Sequence, residues 1–431
     1  MIAPSVDVYN LEIEVLSPTC IGGAGEDGRT EYESFEYVID RSQQRIYFVN
    51  ENDILNLLSA GLIKEEDLEL EYYELINRIR LLPGADKYIR SLKMSYVGDN
   101  KLSLYRFASI KEVNLRDAGS ARIAEKYVIP GSTVKGVLRT GYAAKKIRTC
   151  SYKFDRVKNK KRKNARDLKL FSAAINGGNH KEDDKQVLDE LFSLSDYEVQ
   201  VNIAGDTLSE EEEKWISLEE YNEMSSEAEG EPQNKENLSK EQILNILFRN
   251  IVCCDFELTG GEVAVEKGIR IDRRINKKNA KQEKIPTYFE AAQPGTKFCG
   301  RVYYKNDTLN EDKQLSIVSI HSRNSITPVE EALEGLKEMG ARIAEVERTM
   351  LCRAIKDQEI ESFYDMLKAE SEKEGVAIFK LGYAGILSKS WMVFDEKKIR
   401  TDDTFLPYTL LVSSTMRVPM GWVKIRWEWN N

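Results

Sequence analysis

Histidine is scarce in this sequence, which contains only His180 and His321 among 431 residues. Histidine is the side chain that proteins most often use as a general acid or base near neutral pH, and neither of the two has a recognisable catalytic partner. The patterns GxSxG and HExxH are also absent. We therefore expect no catalytic residue and no enzymatic activity of a familiar kind.

Paired cysteines and long apolar runs are missing as well. The six cysteines include no CxxC pair, so we expect buried thiols, no zinc site and no cofactor. No apolar run reaches the ~18 residues that a membrane span needs, and the first residues lack the basic and apolar regions of a secretory signal. These features predict a soluble, cytoplasmic protein.

Charge is distributed very unevenly along the chain, although the net charge is only −9. Residues 121–170, which include Arg122 and Lys126, hold 16 Lys or Arg against 3 Asp or Glu, a balance of +13. Residues 206–241 hold 13 acids against 3 bases, a balance of −10. A basic block of this density is typical of proteins that bind a phosphate backbone. The alternative interpretation is that its run KNKKRKNAR is a solvated loop without a specific partner.

Strand and helix patterns alternate through both halves of the chain. VYNLEIEVL at 8–16 and WVKIRWEW at 422–429 show the period-2 alternation of half-buried strands. The aromatic residues of the second segment could stack on bases or lie in the core. FEYVID and RIYFV predict a hairpin, and NENDILNLLSAG predicts a capped helix.

This alternation predicts an α+β protein of two units. We expect an N-terminal domain over 1–205 with a basic segment at 145–169, and a C-terminal domain over 242–431 with a helical insertion at about 328–372. The acidic residues 206–241 between them resemble an exposed insertion or linker.

A candidate anion site lies in YVIPGSTVKGVLRTGYAAKKIR, where a strand meets the turn Pro130-Gly131. Ser132 or Thr133 is placed to cap a helix that starts near Val134. The start of a helix presents free backbone N–H groups and partial positive charge, and Gly131 allows close approach of another backbone. One side of this helix would carry Lys135, Arg139 and Lys146, and the other would place Val134, Val137 and Leu138 in the core. The alternative is an ordinary amphipathic helix with a good N-cap.

Several segments together resemble the RAMP superfamily of CRISPR-associated proteins. They are, in order, LSPTCIGGAG, IPGSTVKGVLR, LFSLSDYEV, GIRIDRRINKK followed by EAAQPGTKFCGRV, KLGYAGILSKSW and PMGWVKI. Within that superfamily the chain is most similar to the subunits that cap type III-A (Csm) effector complexes. The late loop departs from the family pattern, which is often rich in Gly-x-Gly and followed by Lys-Thr.

The resemblance implies two ferredoxin-like, RRM-like domains with helical insertions and glycine-rich loops. It also implies a non-catalytic protein that binds the sugar-phosphate backbone at the 3′ end of CRISPR RNA. Its partners would be the backbone and small subunits of the complex, and host nucleases would trim the RNA. By position, the residues that face RNA would be Gly22, Gly23, Gly131, Ser132, Thr133, Lys135, Arg139, Gly382, Gly385 and Lys389.

Four other functions remain open from the sequence. The first is a metal-dependent ribonuclease of the same superfamily, for which Asp27 would be the catalytic acid. The second is a metal-independent ribonuclease that processes the CRISPR repeat, which the lack of a paired histidine disfavours. The others are another cap subunit of a type III complex and a protein-binding adaptor whose basic block docks an acidic partner.

Overall fold

The structure is a computed structural model of the full chain. It describes residues 6–22, 30–48, 51–83, 89–94, 102–115, 121–149, 197–204, 211–217, 248–272, 286–305, 317–322, 327–355, 357–384 and 409–428.

These residues form eighteen strands and five α-helices. The strands are β1 Val6–Val15, β2 Tyr37–Asp40, β3 Arg45–Phe48, β4 Arg90–Lys93, β5 Leu104–Tyr105, β6 Ser109–Leu115, β7 Ala121–Ile129, β8 Tyr197–Ala204, β9 Glu211–Ser217, β10 Ile251–Cys253, β11 Phe256–Gly260, β12 Val263–Asp272, β13 Thr287–Ala292, β14 Lys297–Lys305, β15 Ile317–Ser322, β16 Val376–Lys380, β17 Thr409–Ser413 and β18 Trp422–Glu428. The helices are α1 Glu51–Ser59, α2 Tyr72–Arg80, α3 Gly131–Thr149, α4 Pro328–Ile355 and α5 Gln358–Ser371.

The largest sheet has eight strands, in the order β16-β18-β1-β14-β11-β7-β6, with β10 also paired to β14. Strand β1 lies in its middle and pairs antiparallel with both β14 and β18. Strands from before and after the acidic residues 206–241 therefore share one sheet. They also share one hydrophobic core, in which Leu11, Val302 and Ile425 are all buried.

Part of this sheet has the connectivity of a ferredoxin-like unit. In chain order its elements are β1, α3, β11, β14, α4 and β18, and its strands lie in the order β18-β1-β14-β11. Each neighbouring pair is antiparallel, so each helix connects two parallel strands that have another strand between them, as the βαββαβ pattern requires. We identify one such unit among the described residues, and a second remains a prediction.

Helices α3 and α4 pack against each other over the buried side of the sheet. Tyr9, Leu11, Ile13 and Val15 alternate along β1 and are all buried, as the period-2 pattern predicts. Gly141 of α3 and Gly335 of α4 face each other at the helix crossing, where a Cβ added to either would meet the backbone of the other helix. The two helices thus approach more closely than larger residues would allow.

Three smaller sheets complete the described structure. They are ordered β17-β12-β13-β5, β15-β8-β9 and β2-β3-β4. Strand β9 lies inside the acidic segment and pairs antiparallel with β8; the role of that segment as an insertion or linker stays a prediction. The predicted hairpin and helix between 35 and 61 are confirmed as β2, β3 and α1, and the helical stretch from Pro328 is confirmed as α4 and α5. Among the described residues, no helix is both long and apolar enough to cross a membrane.

A fully buried ion pair joins α4 to the strand that precedes the second glycine loop. Lys380 Nζ donates to Glu347 Oε1 at 2.5 Å, and the Tyr364 hydroxyl donates to Glu347 Oε2 at 2.8 Å. The Lys380 and Glu347 side chains are 2% and 1% exposed. Burial lowers the pKa of Lys380, and the Glu347 carboxylate opposes that shift. Each charge is therefore tolerated only because the other is present.

We expect Glu347→Gln to destabilise the fold by about 3 kcal/mol, because it leaves the Lys380 ammonium buried without a counter-charge. The double variant Glu347→Gln/Lys380→Met should recover most of that loss, since both charges are gone and an amide oxygen still accepts from Tyr364. Chemical denaturation measures both changes. Equal losses in the single and the double variant would contradict this account of the pair.

Candidate nucleic-acid interface

The turn that precedes α3 is closed by a carboxylate of the same chain. The helix begins at Gly131, three residues before the predicted start, so Ser132 and Thr133 lie in its first turn rather than before it. The backbone N–H of Gly131 donates to Asp255 Oδ1 at 2.7 Å. One of the donors predicted to receive an external anion is thus satisfied internally.

Gly131 is needed for a close approach, as predicted, but the approaching backbone belongs to this protein. A Cβ added at Gly131 would lie 2.2 Å from the carbonyl oxygen of Cys253 and 2.9 Å from that of Cys254. The end of β10 therefore packs directly on the start of α3. This contact fixes the direction in which the helix leaves the turn.

Two cations of α3 have no acidic partner among the described residues. Lys135 and Arg139 are half-buried, and neither makes an ion pair with any described residue. The Arg139 guanidinium carbon lies 5.2 Å from the centre of the Phe248 ring, a cation–π contact that orients the side chain. Burial lowers the pKa of both Lys135 and Arg139, because a charged group loses solvation there. A bound anion would offset that loss.

The neighbouring cation on the same helix differs in this respect. Lys145 Nζ lies 3.0 Å from Glu334 Oε2 and 3.1 Å from Glu338 Oε1, both on α4. Its charge is used in packing the two helices together. The predicted core side of α3 is confirmed, since Val134 and Leu138 are buried and Val137 is partly so.

The other predicted basic residues are less informative. Lys126 lies on β7, and its ammonium donates to Glu257 at 2.5 Å, so its charge is neutralised by a neighbouring strand. Arg122 lies on β7 and Lys146 on α3, but the structure describes only their backbone positions. Most of the basic segment 145–169 lies outside the described residues.

The structure brings the two predicted glycine loops together. Gly22 and Gly382 both have positive φ, +71° and +68°, which favours glycine. The backbone N–H of Tyr383 donates to the carbonyl of Cys20 at 3.0 Å, and a Cβ on Gly382 would lie 2.0 Å from that same oxygen. Gly23, Gly385 and Lys389 lie outside the described residues.

Aromatic and basic side chains that the sequence analysis did not select lie beside these loops. The ring centres of Tyr105 and Phe289 lie 5.0 and 5.2 Å from that of Tyr383. Arg270 Nη2 donates to the Tyr383 hydroxyl at 3.0 Å. The only signal for Arg270 was its place in the segment GIRIDRRINKK, which carries part of the family resemblance.

Acid–base or metal chemistry has little support in the described part of the chain. Burial raises the pKa of the Cys20 and Cys253 thiols to about 12, so both are protonated at neutral pH and are poor nucleophiles. No group of three or more His, Cys, Asp or Glu side chains that could hold a metal ion occurs among the described residues. Asp27 and His180 lie outside those residues.

The tryptophans of the last strand belong to the core where they are described. Trp422 is fully buried and Trp427 is 9% exposed, so neither offers a face on which a base could stack. Trp429 lies outside the described residues.

The packing of Gly131 predicts a clear difference between two glycines of the same helix. We expect Gly131→Ala to destabilise the protein by about 2 kcal/mol or more, because its methyl group would overlap the Cys253 carbonyl. Gly136→Ala, where nothing lies within 4 Å of the added Cβ, should stabilise it by about 0.5–1 kcal/mol through helix propensity. Urea denaturation would measure both, and similar effects at the two positions would refute the close contact.

Solved structures with folds similar to that of this chain include the following two. One is a chain of a structure described as a Csm–crRNA–target RNA ternary complex of a type III-A CRISPR-Cas system, with 15% identity, a TM-score of 0.50 and coverage of 97% of this chain and 100% of that chain. The other is the crystal structure of T. onnurineus Csm5, with 16% identity, a TM-score of 0.47 and coverage of 96% and 99%. At these identities the likeness concerns the fold alone.

No curated protein sequence matches this chain significantly. The model of the RAMP superfamily, however, matches residues 12–318, which is well over half of the sequence and includes the first glycine loop, the turn before α3 and strands β11 to β14. This chain therefore belongs to the RAMP superfamily.

Proposed function

We propose that this chain is a non-catalytic, CRISPR RNA-binding subunit of a type III-A (Csm) effector complex. It caps the 3′-end side of the guide RNA filament and supports assembly of the complex and maturation of that RNA end in antiviral defence. Its protein partners are the backbone and small subunits, and recruited host nucleases trim the RNA. Membership of the RAMP superfamily and a fold shared with a chain from a Csm complex support this proposal.

The observation that carries the proposal is the pair of cations on α3. Lys135 and Arg139 are one helical turn apart, partly accessible, and without any acidic partner in the described structure. Both cations follow the motif IPGST, in which Ser132 is exposed. Cations at this spacing suit successive phosphates of one strand, and phosphate contacts hold RNA of any sequence. A guide-binding subunit has to accept every spacer, which requires this type of contact.

Metal-dependent cleavage through Asp27 is the main alternative within the superfamily, and no feature of the described structure favours it. Measuring RNA length together with RNA affinity would distinguish a protein that only binds RNA from one that also cleaves it.

We expect Lys135→Ala/Arg139→Ala to weaken binding of single-stranded RNA and to flatten its salt dependence. Each lost phosphate contact should lower the slope of log affinity against log salt by about 0.7, or about 1.4 for the pair. The matched control is Lys93→Ala/Lys145→Ala, which removes the same charge from two lysines that are already paired with glutamates. Its slope should stay close to that of the wild type.

The measurement is a fluorescence anisotropy titration of labelled single-stranded RNA over a salt series, with RNA length followed by gel with and without Mg²⁺. Equal slope changes in the two double variants would mean that the effect is one of net charge only. Shortening of RNA by the wild type in Mg²⁺ would make the protein a nuclease and overturn the non-catalytic role.

A further inference from the structure

One face of the eight-stranded sheet is not covered by any described element at the start of β1 and the end of β14. Along β1, Tyr9 and Leu11 are buried toward α3 and α4, whereas Val6, Val8 and Asn10 are exposed. Along β14, Val302 and Tyr304 are buried, whereas Arg301 and Lys305 are exposed. The alternation places the exposed residues of both strands on the side opposite α3.

A tyrosine lies between two exposed valines on this uncovered face. Tyr303 of β14 is in register with Val8 of β1 on one side and with Val252 of β10 on the other. Val8 and Val252 are 38% and 42% exposed, and Tyr303 is half-buried. Side chains directly opposite each other on neighbouring strands are in contact distance, so the three form a short apolar row with one aromatic ring at its centre.

Two cations stand on the same face, one on each side of Tyr303 along its strand. Arg301 and Lys305 are exposed, and neither takes part in an ion pair with any described residue. The acidic side chains on the adjacent part of this face already contact cations of neighbouring strands. Glu12 lies between Lys297 and Arg426, and Glu257 accepts from Lys126.

We propose that this surface, made of Val8, Tyr303 and Val252 with Arg301 and Lys305, binds single-stranded RNA. Tyr303 stacks on a base while Arg301 and Lys305 contact phosphates on either side. The proposal rests on the proposed RNA-binding function and adds a second contact region, on the opposite side of the sheet from Lys135 and Arg139.

Charge and size favour RNA over a protein as the occupant. An aromatic ring flanked by cations is the combination with which proteins hold single strands without sequence preference. The apolar row has only three members, whereas a stable protein interface buries about 800 Å² on each partner. The surface is thus suited to one base and its phosphates.

The test is binding of labelled single-stranded RNA by the full chain carrying Tyr303→Leu or Tyr303→Phe. The leucine keeps apolar bulk but removes the aromatic face, so we expect about tenfold weaker binding with an unchanged salt slope. The phenylalanine keeps the ring and should bind within about twofold of the wild type, because stacking and not the hydroxyl supplies the contact. Arg301→Ala/Lys305→Ala should instead flatten the salt slope.

The control is Tyr73→Leu, which alters a 59% exposed tyrosine of α2 and should leave RNA affinity unchanged. A second measurement needs no variant: RNA containing 4-thiouridine is photocrosslinked to the wild type, and mass spectrometry should find the adduct on the peptide that contains Tyr303.

Three results would overturn the proposal. If Tyr303→Leu binds like the wild type and no adduct forms on β14, while Lys135→Ala/Arg139→Ala still weakens binding, the sheet surface is not an RNA site and the proposed function stands. If Tyr303→Leu leaves RNA affinity intact but releases the chain from its assembled complex, the surface binds protein instead. Failure of the wild type to bind RNA at all would end both proposals.

Discussion

Strand β1 forms backbone hydrogen bonds with β14 on one side and β18 on the other, and the rest of the molecule is arranged around that pairing. A strand in the middle of a sheet has every N–H and C=O group satisfied only when both neighbours are present. Those neighbours come from residues 297–305 and 422–428. The core under α3 and α4 is therefore formed by residues from widely separated parts of the sequence.

The same arrangement explains why the first N–H group of α3, that of Gly131 within IPGST, already has a partner inside the protein. Strand β7, which leads into α3, pairs with β11, and this brings Asp255 to the first N–H of the helix. Asp255 accepts from the backbone N–H of Gly131 and so closes the turn from inside the protein. The side chains of Lys135 and Arg139, one and two turns further on, make no ion pair with any described residue.

Sequence periodicity was sufficient to predict strands and helices that show a clear apolar pattern within a few residues. The alternation of Leu11, Ile13 and Val15 predicted β1, and the apolar spacing of Val134, Val137 and Leu138 predicted the buried side of α3. Strands β4 and β5 were missed because RSLK and LY are too short to show a period. The composition shift at 206–241 suggested an exposed insertion or linker, but composition carries no information about strand pairing and did not indicate that residues 211–217 pair with β8.

Contacts between distant residues could not be inferred in this way. Lys135 and Arg139 were found because a spacing of four places them on one side of a helix. Asp255 and Phe248, which complete their surroundings, follow them by more than a hundred residues, and nothing near the motif indicates them. The contact between Gly382 and Cys20 also joins residues far apart in the sequence and could not be predicted, although each glycine loop is recognisable by itself.

The central position of β1 also has a consequence for synthesis of the protein. The ribosome releases β1 early, but β14 emerges only after roughly 280 further residues and β18 after roughly 400, so at about 5–20 residues per second both edges of β1 stay unpaired for tens of seconds. Unpaired apolar strand edges favour aggregation. A nascent chain of this topology is thus exposed to aggregation for longer than a protein whose strands pair in sequence order.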